Sequence, residues 1–230
     1  MSIVDKEFGE IKIRKNKLAR SVKLSVGVDG SLRASIPYYS PEFAVRRLVN
    51  GNRDEIRKML ATHNAKNSYQ DGDLIGKTHT LFLRKFSGEE IKISNEGNQI
   101  LVQIPQELAF ENPLVQSEIR KTVSKILRKQ AKAYLPRRIS FLAEKYGFNF
   151  EKLRFSHTGT RWGSCSSSGT ISLNIALMNL PHHLIDYVII HELCHTRQMN
   201  HSSKFWQEVE KYCPDYKKCV QEMKQFSPSI

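Results

Sequence analysis

The chain has 230 residues, with 36 Lys and Arg against 23 Asp and Glu, a formal charge of +13 and a mean hydropathy of −0.46. A hydrophobic content of 40 % at this length supports a packed core and excludes a disordered chain, and no apolar run approaches the roughly 18 residues that cross a bilayer. The opening MSIVDKEFGEIKIRK lacks the apolar centre of a signal peptide, so a cytoplasmic location is expected, where Cys165, Cys194, Cys213 and Cys219 read as thiols rather than bridges.

Residues 9–37 alternate in character through Ile11 and Ile13, then Val22, Leu24 and Val26, then Leu32, Ala34 and Ile36, with a hairpin turn expected at Asp29-Gly30. Ser40-Pro41-Glu42 opens a helix with apolar positions Phe43, Leu48, Ile56 and Leu60, interrupted near Gly51, so that one bent helix or two are expected. Residues 62–76 are polar and read as a connector; strands are then expected at 78–86, 91–94 and 100–104, separated by turn residues.

The positive charge is concentrated at 112–150, which carries +7. Asn112-Pro113 reads as an N-cap and first helical position, and Val115, Ile119, Val123, Ile126, Leu127 and Ala131 follow at helical spacing. Arg120, Lys121, Lys125, Arg128, Lys129 and Lys132 fill much of the remaining circumference. Such a face, spanning 113–138, is either plain solvated charge or a surface for a polyphosphate, nucleic acid or acidic peptide. Pro136 is expected to bend or divide this helix, and Gly147 to stop it.

Two strands are expected at 153–157 and 170–175, joined by the mobile Gly/Ser-rich loop 163–169, and Asn179-Leu180-Pro181 then starts an apolar helix. On that helix lies His191-Glu192-Leu193-Cys194-His195. Spacing of i,i+4 stacks two imidazoles on one face, where both reach one metal ion, while Glu192 is turned away by about 100° and is placed to work on a zinc-bound water as general base. Burying these groups without a partner would cost several kcal/mol, which favours a metal over simple packing. A catalytic Zn2+ needs a third ligand. An unbroken helix would carry His201 off the ligand face, so the helix is expected to end near Gln198–Asn200, with Asn200 in a left-handed conformation and Ser202 capping the next helix over 203–212. His201 is favoured as the third ligand, with Glu208, Glu210 and Asp215 as competitors.

HELCHTRQMNHSSKFW, preceded by TRWGSCSSSGTISLN and LPHHLIDYVIIHE and followed by YCPDYK, resembles the YgjP-like metal-dependent hydrolase family, a zincin-type branch of the metallopeptidases. The resemblance implies His191, His195 and His201 as zinc ligands and Glu192 as the catalytic base, and it implies that the block Arg161–Cys165 borders the metal. Gln198 stands where metzincins have a turn glycine, which separates the chain from that group. Arg161, a permanent cation, and Ser164, a hydroxyl, are candidates to stabilise an oxyanion or hold a substrate carboxylate or phosphate. Trp162 is equally readable as packing. Cys165 and Cys194 read as small packing residues, Cys213 and Cys219 as chemically idle, and Phe205 and Trp206 as packing between helices; His157, His182 and His183 are unassigned.

The expected fold is α+β, a β-rich lobe over 1–111 with one helical segment, followed over 112–230 by a mainly helical, zincin-like catalytic lobe with a small β-sheet edge. The expected activity is zinc-dependent hydrolysis, with a peptide as first-choice substrate. The resemblance also implies nucleoside triphosphate pyrophosphatase activity as the alternative, which the basic helix supports physically. A nucleic-acid-associated role of the SprT-like type is a further reading, through the zinc motif and basic charge alone. No membrane partner is expected, and the oligomeric state is not legible.

Overall fold

The computed structural model describes residues 1–27 and 31–230, leaving out the side chains of 62–67. By compactness it divides into one unit of Met1–Gln70, Leu83–Lys92 and Gln103–Arg120 and a second of Asp71–Phe82, Ile93–Val102 and Lys121–Ile230. The first unit opens with β1 (Ser2–Asp5), β2 (Gly9–Asn16), β3 (Lys23–Val26) and β4 (Leu32–Pro37), hydrogen-bonded in the order β1-β2-β4-β3. β2 and β4 run parallel with Ile13 beside Ala34, and β3 pairs antiparallel with β4; the expected Asp29-Gly30 turn lies outside the described residues. Period-two alternation sends Ile11, Ile13, Leu32, Ala34 and Ile36 to one face, where they meet Val45, Val49 and Ile56 in a single aliphatic cluster.

Two helices supply those last three residues, α1 (Phe43–Gly51) and α2 (Arg53–Asn67), separated at Asn52, whose φ of −131° leaves the helical region. Phe43, expected on the apolar face, is exposed because Val45 and Val49 define the buried stripe instead. α2 also runs five residues past the expected start of the connector, and that connector further contains β5 (Leu74–Ile75). β5, β6 (His79–Phe86), β7 (Lys92–Glu96) and β8 (Gln99–Pro105) form a second sheet in the order β5-β6-β8-β7.

α3 (Pro113–Tyr146) begins where expected, with the Asn112 Oδ1 accepting from the Leu114 N–H at 2.9 Å. It ends as expected too. Gly147 takes φ +67°, Phe148 N–H reaches Ala143 O at 2.8 Å and Gly147 N–H reaches Glu144 O at 3.2 Å, the paired bonds of a Schellman stop. Pro136 does not divide it. Leu135, Ile139 and Leu142 are buried on either side of the proline, so packing outweighs one lost backbone hydrogen bond. Lys121, Lys125, Arg128, Lys129 and Lys132 are exposed, but Arg120 is buried and leaves the expected basic face.

The third sheet carries β9 (Lys152–Ser156), β10 (Gly163–Cys165) and β11 (Thr170–Asn174) in the order β10-β11-β9. The stretch expected as a mobile loop is therefore an edge strand and a tight hairpin. Ser166 and Thr170 exchange a 2.9 Å backbone bond across it, and Gly169 supplies φ +78°. A buried 3-10 turn (Ile175–Asn179) leads into α4 (His182–Cys194), which packs against β10, β11, α5 (Ser203–Tyr212) and α6 (Tyr216–Met223). Among the described residues no helix is long and apolar enough to cross a membrane.

Candidate metal centre

α4 is apolar nearly all round, with Leu184, Ile185, Val188, Ile189 and Leu193 buried, and this packing fixes its rotation. His191 therefore points where His195, one turn later at the C-cap, also points; the ring centroids are 4.9 Å apart. α4 then stops earlier than expected, and without a left-handed residue: no non-glycine residue described has positive φ, Asn200 included. Successive tight bonds make the turn instead, from Thr196 N–H to Leu193 O, Arg197 N–H to Cys194 O and Ser202 N–H to Asn200 O, at 3.0, 3.0 and 2.8 Å. Ser202 occupies the N-cap position of α5, although its hydroxyl makes no capping bond.

This turn returns His201 to the other two imidazoles, with centroids 5.1 Å from His191 and 4.7 Å from His195. The ligand atoms of His191, His195 and His201 all lie within 4.8 Å of one another. His191 Nε2 and His201 Nε2 are 3.1 Å apart, close to the about 3.3 Å that two nitrogens on one tetrahedral zinc would show. His195 Nδ1 donates to Gln198 O at 3.0 Å, which leaves its Nε2 bare of a proton and free to ligate. The competing acids are elsewhere: Glu208 pairs with Arg197 at 2.6 Å, Asp215 with Lys218 at 2.7 Å, and Glu210 is exposed.

Two buried polar atoms here make no hydrogen bond within the protein, Nδ1 of His191 and Oε2 of Glu192. Burial lowers the His191 pKa to about 3, helped by the neighbouring His195 and His201, so the ring is neutral and fit to bind a cation. Burial raises Glu192 to about 8, opposed by the field of Arg161. A cation among the rings reverses that pressure on the carboxyl. Three imidazoles whose ligand atoms converge beside a dry carboxyl fit a divalent metal.

Phe205, fully buried on α5, supports the cluster from beneath: its ring stacks on His195 at 4.4 Å and lies 4.9 and 4.8 Å from His191 and His201. Trp206 lies 5.7 Å from His201 and stacks on Tyr216 at 5.3 Å. A cleft of about 300 Å³ faces the rings, lined by Arg161, Ser164, Cys165 and Met199 together with His191, Glu192, His195 and His201. The structure thus brings Arg161 and Ser164 to the cleft, and it also brings Cys165, expected only to pack; burial and Glu192 raise its thiol pKa. Cys213 and Cys219 hydrogen-bond each other as free thiols. The unassigned histidines have surface partners, His157 with Ser124, His182 with Tyr134 and His183 with Glu222.

Three residues escape a reading of the sequence. Gly163, expected only as part of the Gly/Ser-rich loop, sits on β10 against Glu192; a Cβ there would fall 2.6 Å from Oε1 and 2.7 Å from Cγ. Its missing side chain is what lets the carboxyl lie against the strand. Asn174, fully buried, donates from Nδ2 to the carbonyls of Thr158, Arg161 and Pro228 at 2.7, 3.0 and 3.1 Å, fixing the backbone that carries Arg161. Arg197 ties the turn before His201 to Glu208, to the Tyr212 hydroxyl at 3.0 Å and to the Gly147 carbonyl, while its guanidinium lies 4.0 Å from the Phe148 ring centroid. Their partners lie far away in sequence, and no local pattern reveals them.

The sequence model of the YgjP-like family, described as a metallopeptidase domain, matches residues 20–226. A crystal structure of the metallopeptidase zymogen abylysin from Pyrococcus abyssi is 28 % identical, covering 40 % of this chain and 93 % of that one, with a TM-score of 0.36. That of the zymogen jannalysin from Methanocaldococcus jannaschii is 23 % identical over 38 % of this chain and 95 % of that one, with a TM-score of 0.33. No curated protein matches.

Proposed function

From the premise that the chain belongs to the YgjP-like metallopeptidase family, we propose that it hydrolyses peptide bonds with a zinc ion held by His191, His195 and His201. The observation that carries this reading is the convergence of three imidazoles beside a buried carboxyl whose Oε2 has no hydrogen-bond partner. When bound, the cation polarises a substrate carbonyl and eases deprotonation of water. Glu192 takes that proton on its carboxylate and passes it to the departing amine nitrogen. β10 ends its sheet, so an extended peptide can lie along its outer edge with backbone bonds to hold the scissile carbonyl in place. Arg161 and Ser164, which line the same cleft, would receive negative charge developing on that carbonyl oxygen. These groups all fall inside 112–230, the segment to which we assign catalysis, with 1–111 as the β-rich lobe.

A peptide is favoured over a nucleoside triphosphate because Arg161 is the one permanent cation among the residues lining the cleft, whereas a triphosphate needs several. The test is Glu192→Gln. Zinc content, measured by atomic emission, should stay at the wild-type level while cleavage of an unfolded protein substrate falls by about 10²- to 10⁴-fold. Undiminished cleavage would remove the base role from Glu192. Chelation should stop the wild-type reaction and added zinc should restore it.

A further inference from the structure

Behind the metal cleft, and sharing His191, Glu192, Gly163 and Arg161 with it, lies a second hollow of about 320 Å³. Its remaining wall is Trp162 from the residue before β10, Tyr187 and Val188 from α4, and Val220 and Met223 from α6. Tyr187 and Val188 are buried, whereas Val220 is 36 % exposed at the rim. The ligand set does not require this wall. α6 supplies no imidazole and no acid to the cluster, yet it places two apolar side chains one helix away from the reacting groups.

We propose that this hollow is a side-chain subsite, receiving one aliphatic or aromatic residue of the polypeptide next to the bond that is cut. Its volume, at the bottom of the range for small-molecule pockets, has room for one large amino-acid side chain. Most of its wall is apolar and aromatic, so an incoming leucine or phenylalanine is desolvated against Trp162, Val188, Val220 and Met223, while a charged side chain would lose water against the same groups and meet opposite charge only on the side shared with the cleft, at Arg161 or Glu192. Because the hollow and the cleft share Gly163 and Glu192, the backbone of a residue seated in the hollow passes directly over the catalytic carboxyl. Selection and positioning are then the same event. An unfilled hollow leaves the scissile carbonyl unanchored, and a filled one holds it near the imidazoles.

This subsite rests on the peptidase reading, and two measurements separate their fates. The first is binding: titration of the full-length protein with N-acetyl-leucine amide and N-acetyl-glycine amide, followed through the Trp162 indole and Met223 methyl resonances. The leucine amide should shift both signals and bind at least tenfold more tightly than the glycine amide. Val220→Trp, a substitution at a half-open rim that fills the hollow, should abolish the difference. The second is cleavage: the sites cut in an unfolded protein by the zinc-loaded enzyme, read by mass spectrometry. Wild type should cut beside leucine, methionine and phenylalanine, Met223→Ala should extend the preference to larger side chains, and Val220→Trp should reverse it toward glycine and alanine by about tenfold or more. Equal binding of the two amides, or preference for a nucleoside over both, overturns the subsite whatever the enzyme cuts. Cleavage without apolar preference overturns it as well. Selective leucine amide binding with no peptide cut by the zinc-loaded enzyme keeps the apolar hollow and discards the peptidase reading.

Discussion

The cluster beneath the N-terminal sheet and the buried face of α4 are both densely packed, but they differ in what they bury. Under the sheet, Ile11, Leu32, Ile36, Val45 and Ile56 present only carbon, and the neighbouring charges Asp5, Glu7, Arg53 and Arg57 stay near the surface and neutralise one another at 2.5 to 2.9 Å. α4 instead withdraws Glu192 from water and gives its Oε2 no partner. An arrangement of the first kind adds to stability. The second opposes it, by about 1–3 kcal/mol for a dry unpaired polar atom, and endures because Leu184, Ile189, Leu193 and Phe205 hold the element in place. The contrast separates packing from chemistry more sharply than burial or charge alone.

If the contrast is real, substitutions in the two regions should differ in kind. The largest effect is expected at the third imidazole: His201→Ala should weaken zinc binding by more than about 100-fold in chelator competition, while Glu210→Ala leaves it unchanged. The opposite ranking would transfer the ligand role to the acid. Next is Gly163→Ala. The added methyl collides with the Glu192 carboxyl, so turnover should drop and urea unfolding should show a loss of about 1–3 kcal/mol, with zinc affinity intact. Unaltered turnover would mean that the carboxyl has no need of that close approach. Smallest is Arg53→Ala, beside the aliphatic cluster, expected to lower the melting temperature only slightly and by less again in high salt. Arg53 holds the Asp5 pKa below its ordinary value of 3.8, so this increment is present above that value and is lost as pH falls through the lowered one. Melting curves of the two proteins should therefore converge in acid; a gap that persists there would show that Arg53 acts through packing on Phe8 instead.

Much of the metal centre could be read from the sequence because its logic is local. The spacing of His191 and His195 is a property of one helical turn, and Asn112 and Gly147 bracket α3 through bonds made within a few residues. Expectations failed where distant packing decided the outcome. Pro136 breaks a local rule, yet Leu135 and Ile139 on either side of it are buried, and the helix continues. Asn200 offered a left-handed turn, but short backbone bonds and the Arg197 clamp close that turn by other means. Gly163 looked like part of a flexible serine-rich loop, because nothing nearby in the chain announces that Glu192 will lie against it. Phe43 is exposed for a related reason, since a helix with apolar residues on two sides does not state which side will be covered.

The three histidines proposed as ligands all come from 191–201, whereas the strand that shares their cleft, carrying Gly163, belongs to a segment upstream. Short closures cost little chain entropy and form quickly. On the proposed reading, a chain still being folded can therefore bring its three imidazoles together before the opposite wall has joined its sheet. On that reading, assembly of the clasp and completion of the wall that meets it are separate events in time.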